Sequence, residues 1–562
     1  MINKKPYIEI DSSVKSCWQS WELIIAEIQE KILSLGKKKI IVCVECYQGT
    51  YADFNLEVLK EGLSPNVTCK ARDIYKDEQE VRQLVKKDIN VSFSKLSTSS
   101  IEDYFDQEKL EGLRNNIDFI EEGVILVHGI GSHKIWEPDI IIYSDISRYE
   151  ILQRFRRNDI SNIGVNNSDD SFDEQHRWSY FVDWRICDKL KRQLIINCDY
   201  FLETNNWGKP KLATGEIVRE GLKEATKRPF FMADFFDPEL WDDKTDANSN
   251  NEGDFSWGFD CDMEQNNILL KLGEYLFETP AINLIYFKPT DLLGEAVYRK
   301  FGSQMPIRFN FIDSMDSKNL TLSVFPSSDF LRDHYGISLS QNDNFYIMDA
   351  GKRSSLFLGL KSEISTEYFQ DALLNNPRKI NVSKLLNKVK VSKHDHIFIP
   401  PEMIHSNGES LMVLHVSVAA SILEFNIYDE GKDKSKTRSS SNNRNLDILT
   451  LNENTADSYA LNKVKPLENE IEQQVLAKEE NQTIELQRIW FEKEIQLNTG
   501  GIIQVLNLVE GNEITIESTS GNFEPFIVHH AETFIVPGSI SDFKVIPSGK
   551  GKFGLIKGSA RV

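Results

Sequence analysis

Histidines and carboxylates come first, because three of them converging on one point can hold a metal ion and leave a position open for water or substrate. The stretch IFIPPEMIHSNGESLMVLHVSV sets His405 just after a proline-rich turn and His415 on the strand-like run that follows. Asp343, in QNDNFYIMDA, opens another such run. Strands closing around a common interior would bring Asp343, His405 and His415 together as a His/His/Asp set, and zinc is the cofactor such a set would take. Asp and His are also ordinary rim and hydrogen-bonding residues in β proteins, a reading the spacing leaves open. His394 and His396, in KHDHIF, have the spacing of a ligand pair but stand at the start of a strand, where solvated turn residues are common. Cys43-Val44-Glu45-Cys46 is formally a CxxC. It has no second pair and lies inside an apolar strand-like run, so it reads as neither a zinc site nor a redox motif.

A second group of residues could meet an anion. Gly129-Ile130-Gly131 follows an apolar run and could bend close to a phosphate, although a short glycine turn is usually only a turn. Arg148, Arg154, Arg156 and Arg157 share one helix-like segment; they could clasp an anion, and a solvated helix face is the plainer expectation. No Gly-x-x-x-x-Gly-Lys-Ser/Thr occurs, so the Lys and Ser/Thr that hold nucleotide phosphates and magnesium are missing.

The elements that must position these residues fall into blocks. A chain of 562 residues is too long for one hydrophobic core. In residues 1–235, Trp18 to Leu35 reads as an amphipathic helix closed by Gly36, and Ile146 to Arg157 and Asp183 to Phe201 read as further helices. Ile40 to Glu45, Gly123 to His128 and Asp139 to Tyr143 read as buried strands, so a parallel sheet with helices on both faces is expected. Residues 236–255 are polar and acidic, a linker. From Ile282 to Tyr428 short β-rich runs dominate, broken by a helix near Ser365 to Leu374, the pattern of a barrel or sandwich. The basic, serine-rich GKDKSKTRSSSNNRN is a second linker, Leu467 to Asn481 reads as a helix, and Thr483 to Val562 is again β-rich. The expected domains are an α/β domain over 1–235, a β-barrel over 256–435, a linker and helix over 436–480, and a second barrel over 481–562.

Composition bounds the function. Hydrophobic residues make up 40% and charged residues 27%, an ordinary globular profile. No apolar run is long enough for a membrane span, and MINKKPYIEIDSS lacks a secretory apolar core. Seven cysteines, an odd number confined to the first half, point to reduced, buried thiols and a cytoplasmic setting. A net charge of −21 opposes nucleic acid and anionic membranes as partners. A local pocket can override that field for a small phosphorylated ligand. Nothing in the sequence sets an oligomeric state.

PIRFNFID with NLTLSVFP, QNDNFYIMDAGKRSSLFLGLKSEIS, HDHIFIPPEMIHSNGESLMVLHVSV and EFNIYDEGK follow one another in the order and spacing of the conserved blocks of type I mannose-6-phosphate isomerases. The segment from Trp257 to Lys432 resembles that family, and the tail from NLVEGNEITIES to GLIKGSARV is similar to its second barrel. ECYQGTY, YSDISRYEILQRFRR and YFVDWRICDKLKR resemble the N-terminal extension of its long bacterial form. The resemblance implies a multidomain fold: an α/β P-loop-like (P-loop-kinase-like) domain followed by two cupin (RmlC-like jelly-roll) β-barrels. It further implies interconversion of mannose 6-phosphate and fructose 6-phosphate at zinc.

The departures from the family pattern fall on the chemistry. In the family's Gln-Val-His-Pro metal motif, Ser323 stands for Gln and Phe325 for His; Asp343 stands for the metal-binding Glu, and only His405 is kept. His415 replaces an acidic residue, Asn426 an arginine and Lys432 another arginine, while Thr321 keeps a hydroxyl at a serine position. Thr321, Ser323 and Lys432 are the candidate substrate-binding residues. Aldose–ketose isomerisation passes through an enediolate whose developing charge needs a metal or a cation. Phenylalanine cannot ligate, and Asp for Glu shortens the reach by about 1.5 Å. Two expectations result. One is a mannose-6-phosphate isomerase-like protein with impaired activity, in which Asp343, His405 and His415 rebuild a zinc site. The other is a non-catalytic sugar-phosphate-binding or regulatory bicupin protein.

Overall fold

A computed structural model describes residues 6–10, 15–89, 95–233, 261–314, 320–337, 339, 343–375, 380–406, 408–418, 421–429, 460–463, 471–476 and 482–562. The described residues fall into two compact units, one spanning 6–233 together with Met263–Leu292, the other 261–262 with Leu293–Val562. The stretch Met263–Leu292, which the sequence placed with the first barrel, thus packs with the α/β residues. Both expected linkers lie largely or wholly outside the described residues.

The α/β unit holds strands β1 (Tyr7–Ile10), β2 (Cys17–Gln19), β3 (Lys39–Cys46), β4 (Val67–Lys70), β5 (Gly123–Gly129), β6 (Ile140–Asp145), β7 (Tyr200–Glu203), β8 (Lys211–Thr214), β9 (Asn267–Leu272) and β10 (Tyr275–Pro280). Seven of them form a sheet in the order β2-β8-β7-β6-β3-β5-β4. The five strands from β7 to β4 run parallel, and β8 and β2 extend the β7 edge by antiparallel pairing. Parallel strands covered on both faces are near-continuous apolar runs, and β3 (KIIVCVEC) and β6 (IIIYSD) read that way. Helix Trp21–Ser34 lays Ile24, Ile28 and Ile32, one residue per turn, into a core with Val42, Val44, Leu126 and Ile142. β1 pairs parallel with β9, and β9 antiparallel with β10, which is how Met263–Leu292 joins this unit.

One expected helix is shorter than its sequence pattern. Asp183 to Phe201 divides into the end of a single π turn (Ser179–Asp183), helix Trp184–Leu194 and strand β7. The free edge of β6 takes Tyr200–Glu203 in parallel register, and the sheet pairing wins over helix continuation.

The second unit is β-rich, built of antiparallel sheets. Strands β11 (Arg308–Asp313), β12 (Thr321–Val324), β13 (Asp343–Leu360), β14 (Leu386–Lys390), β15 (His396–Ile399), β16 (His405–Ser406), β17 (Glu409–Ser417) and β18 (Phe425–Asp429) share a sheet with a ninth, Ala460–Asn462. Among the described residues the main path runs β11-β17-β13-β16-β12-β18. The long β13 organises it, pairing with β14, β15, β16 and β17 along its length. Phe345, Ile347, Leu356 and Leu358 alternate inward from β13 against Ile397, Ile399, Leu411 and Val413. The remaining strands, from Ile471 to Ala560, make sheets of five and four, with all neighbours antiparallel. The helix expected over Leu467 to Asn481 is corrected in its described part. Ile471–Val475 is a strand paired with Ile484–Phe491, an eight-residue partner that holds IEQQV extended.

Candidate functional site

Sheet register sets the site. His405 on β16 lies between Ser323 of β12 and Leu358 of β13, and His415 on β17 lies between Asn310 of β11 and Phe345 of β13. Asp343 opens β13, so the three expected ligands come from three adjoining strands. All are buried, at 1%, 2% and 5% exposure for Asp343, His405 and His415.

Their hydrogen bonds separate them into a pair and a single residue. His415 Nε2 donates to Asp343 Oδ1 at 2.8 Å. His405 Nδ1 donates to the Met403 carbonyl at 3.0 Å, which places the lone pair on Nε2 in the neutral ring. Burial pushes the His405 imidazolium down to about 4, so the ring is neutral at pH 7. Phe325 fills the space beside both imidazoles. Its ring stacks on His405 with centroids 5.1 Å apart and planes 10° apart, and lies 5.8 Å from His415. Phe345 meets the same two rings edge-on, at 5.7 and 5.1 Å.

These side chains do not fit a zinc ion. Among the described residues no group of three or more His, Cys, Asp or Glu is placed to hold a metal. The benzene face of Phe325 lies against His405, and Asp343 is turned to the Nε2 of His415, so the three side chains do not converge on one point. What the arrangement offers instead is an aromatic wall with polar groups at its margin. Ser323 Oγ donates to Asn426 Oδ1 at 2.8 Å, and the buried Asn310 Oδ1 has no hydrogen-bond partner. Thr321 begins β12, half-buried. Lys432 lies outside the described residues. Asn310 and Phe345 were not legible as site residues in the sequence, since only register against His415 brings them there.

The other candidates are accounted for by structure. His396 donates from Nε2 to Asn344 Oδ1 at 3.0 Å and accepts at Nδ1 from Asn462, while His394 accepts from the Tyr346 hydroxyl and donates to Glu510. Both are held in place by hydrogen bonds and take no part in a ligand pair. Cys43 and Cys46 are buried and free, and burial raises Cys46 to about 12. The turn Gly129-Ile130-Gly131 does hold an anion, an internal one: Glu45 accepts from Gly131 N at 2.6 Å, His133 N at 3.1 Å and His133 Nδ1 at 2.7 Å. The expected solvated arginine face is corrected for two of its four members. Arg148 and Arg154 are buried, and Arg154 donates to the carbonyls of Gly49 and Thr204.

Comparison with known proteins adds a partial frame. A family described as a domain of unknown function, DUF8485, matches residues 20–227. No curated protein matches the chain. Among solved structures, the chain is similar to an Archaeoglobus fulgidus protein proposed to be a mannosephosphate isomerase, at 18% identity over 53% of this chain and 84% of that one, with a TM-score of 0.39. It is similar to the mannose 6-phosphate isomerase of Bacillus subtilis at 14% identity, over 46% and 76% of the two chains, with a TM-score of 0.35. A variant of the Salmonella typhimurium phosphomannose isomerase matches at 12% identity, over 54% and 91%, with a TM-score of 0.39. At these values none of them assigns chemistry to this chain.

Proposed function

We propose that the β-rich unit is a sugar-phosphate-binding bicupin fold that works without a metal and does not isomerise its ligand. The observation that carries this reading is the Phe325 ring lying flat on His405, which replaces the neighbourhood of an ion with an aromatic face. Sugars stack their C–H faces on aromatic rings and take hydrogen bonds at their edges, and pockets of that composition bind small ligands. Here the edge groups are the hydroxyls of Thr321 and Ser323, the Asn310 amide and the Nε2 of neutral His405. Without a cation for the enediolate, bound ligand stays unreacted. A role in sensing or storing the ligand follows more naturally than turnover.

The test is a titration of the full chain with mannose 6-phosphate and fructose 6-phosphate, once in chelator and once with zinc, beside a coupled isomerase assay. Binding that survives chelation and Ser323-dependent affinity, with no turnover in either buffer, is the expected result. Zinc bound near one per chain, with turnover that His405→Ala abolishes, would replace this reading by a zinc-dependent mannose-6-phosphate isomerase.

A further inference from the structure

The carboxyl edge of the parallel sheet gathers charges that the β-rich unit's chemistry does not use. In the order β4-β5-β3-β6-β7 the chain leaves β3 toward one side of the sheet and β6 toward the other. Such a switch point opens a crevice beyond the strand ends, where ligands of open α/β sheets bind. Tyr47 directly follows β3, Asp145 ends β6, and Arg148 is the first residue of helix Arg148–Arg156. Most of the charges there pair off. Lys191 Nζ donates to Asp145 at 2.8 Å, and Arg148 Nη2 and the Tyr47 hydroxyl donate to Asp188 at 2.7 and 2.8 Å. Burial would raise Asp188, but Arg148, Arg185 and Lys191 outweigh it and hold the carboxyl below its ordinary value, so Asp188 stays charged.

One guanidinium, Arg185, is left over, and Glu264 answers it poorly. Glu264 Oε2 accepts from Arg148 Nη1 at 2.7 Å, but the same oxygen is 3.8 Å from Arg185 Nη2, too far for a hydrogen bond. Arg185 Nε and Nη2 and Arg148 Nε are buried without a hydrogen-bond partner. Aromatic faces back both cations, Trp184 at 4.7 Å from Arg148 and Tyr180 at 5.1 Å from Arg185. Tyr180 belongs to the π turn Ser179–Asp183, a distortion frequent at functional sites.

We propose that Arg148 and Arg185 form a binding site for a phosphate monoester, which Glu264 fills internally with its carboxylate. A carboxylate has two oxygens, and here one of them carries both arginine contacts. A phosphate presents three terminal oxygens, enough for a forked contact with each guanidinium. The incoming group displaces Glu264, so the unaltered chain binds it with reduced affinity.

The test uses the full chain with inorganic phosphate and pyrophosphate at an ionic strength fixed with chloride. Glu264→Gln keeps the side-chain size and removes the competing charge, and it binds phosphate at least about tenfold more tightly than the unaltered chain, by calorimetry and by a phosphate-dependent rise in Tm. Adding Arg185→Gln abolishes the gain. Should Glu264→Gln not fold without ligand, Glu264→Asp, whose shorter side chain retreats from the arginines, also binds phosphate more tightly. Equal affinity in the Glu264 variants and the unaltered chain, or affinity indifferent to Arg185→Gln, overturns the site. Mannose 6-phosphate and ATP then serve as separate arms. Binding of either that Arg185→Gln removes and His405→Ala spares supports the site and names its ligand class. Binding that only His405→Ala removes counts against it.

Discussion

The two candidate sites have each been filled from within, by opposite kinds of residue. In the β-rich unit an aromatic ring, Phe325, stacks against His405. At the carboxyl edge of the α/β sheet a carboxylate, Glu264, bonds Arg148. The first filling withdraws capacity, since a benzene ring can neither ligate nor donate. The second keeps the cations and covers them, so the capacity for an anion remains behind a competitor that can be displaced. A site filled from within therefore does not say by itself what it can still bind. The chemistry of the replacing group decides.

The largest effect that sharpens this contrast is expected at Arg148. Arg148→Met removes the guanidinium that bonds buried Asp188 and half-buried Glu264 at 2.7 Å, and breaking a buried pair from one side costs about 3–5 kcal/mol. Hydrogen exchange resolved by segment should show the loss across β3, β6 and helix Trp184–Leu194. A change below about 1 kcal/mol would mean that the network is solvated and that the contrast with Phe325 is overstated.

Phe325→His is the converse experiment, with a smaller effect on stability, about 1–3 kcal/mol from lost aromatic burial. It sets a third imidazole beside His405 and His415, and the expected outcome is zinc bound near one per chain by metal analysis. If the variant binds no more zinc than the unaltered chain, Phe325 is not what keeps a metal out.

Acid should separate the two units. In the β-rich unit, burial lowers His394, His396 and His405 to about 4, 3 and 4. A histidine lowered in the folded state binds its proton more readily when unfolded, so its stabilising contribution is present above about pH 6.5 and is lost as pH falls toward 4. In the α/β unit, His128 and His176 are lowered to about 4 in the same way, but burial raises Asp183 and Glu203 to about 7. A carboxyl raised in the folded state takes up its proton before the unfolded chain does, so it gains stability over the same fall in pH. The two terms oppose each other there, whereas His394, His396 and His405 of the β-rich unit all shift in the one direction. Between pH 6.5 and 4.5, exchange protection is expected to fall first in β13, β15 and β16. Earlier loss in β3 and β6 would contradict the asymmetry.

Legibility in the sequence followed range. The apolar runs from Ile40 and Gly123 announced the parallel strands because each is local and buried on both faces, and the observed β3 and β5 begin within a residue of them. Asp343, His405 and His415 were legible as neighbours through their motif blocks. That Asp343 and His415 bond one another, leaving His405 to the Met403 carbonyl, depends on strand register, which no local pattern sets. The arginine site was least legible: Glu264 lies 116 residues from Arg148 and Asp188 lies 40 away. A helix period marks Arg148 as polar and so as solvated, whereas the packing of helix Trp184–Leu194 buries it. The described part of the expected helix at 467–481 failed for a related reason, because pairing with a longer strand outweighs the preference of five residues.

The smallest expected effect tests the aromatic side of the comparison at its polar margin. Ser323 Oγ donates to Asn426 Oδ1 at 2.8 Å, and Asn426 is exposed. Removing the hydroxyl in Ser323→Ala costs about 0.5–1.5 kcal/mol as a single hydrogen bond, less where water replaces it. If the aromatic wall provides most of the ligand's affinity and the hydroxyl only orients it, sugar-phosphate binding weakens by about three- to tenfold while Tm changes little. Phe325→Leu, which keeps the site apolar and removes the flat face, should then weaken binding more than Ser323→Ala does. The reverse ranking would make the pocket polar in its energetics, and Phe325 would be a packing residue that happens to lie on His405.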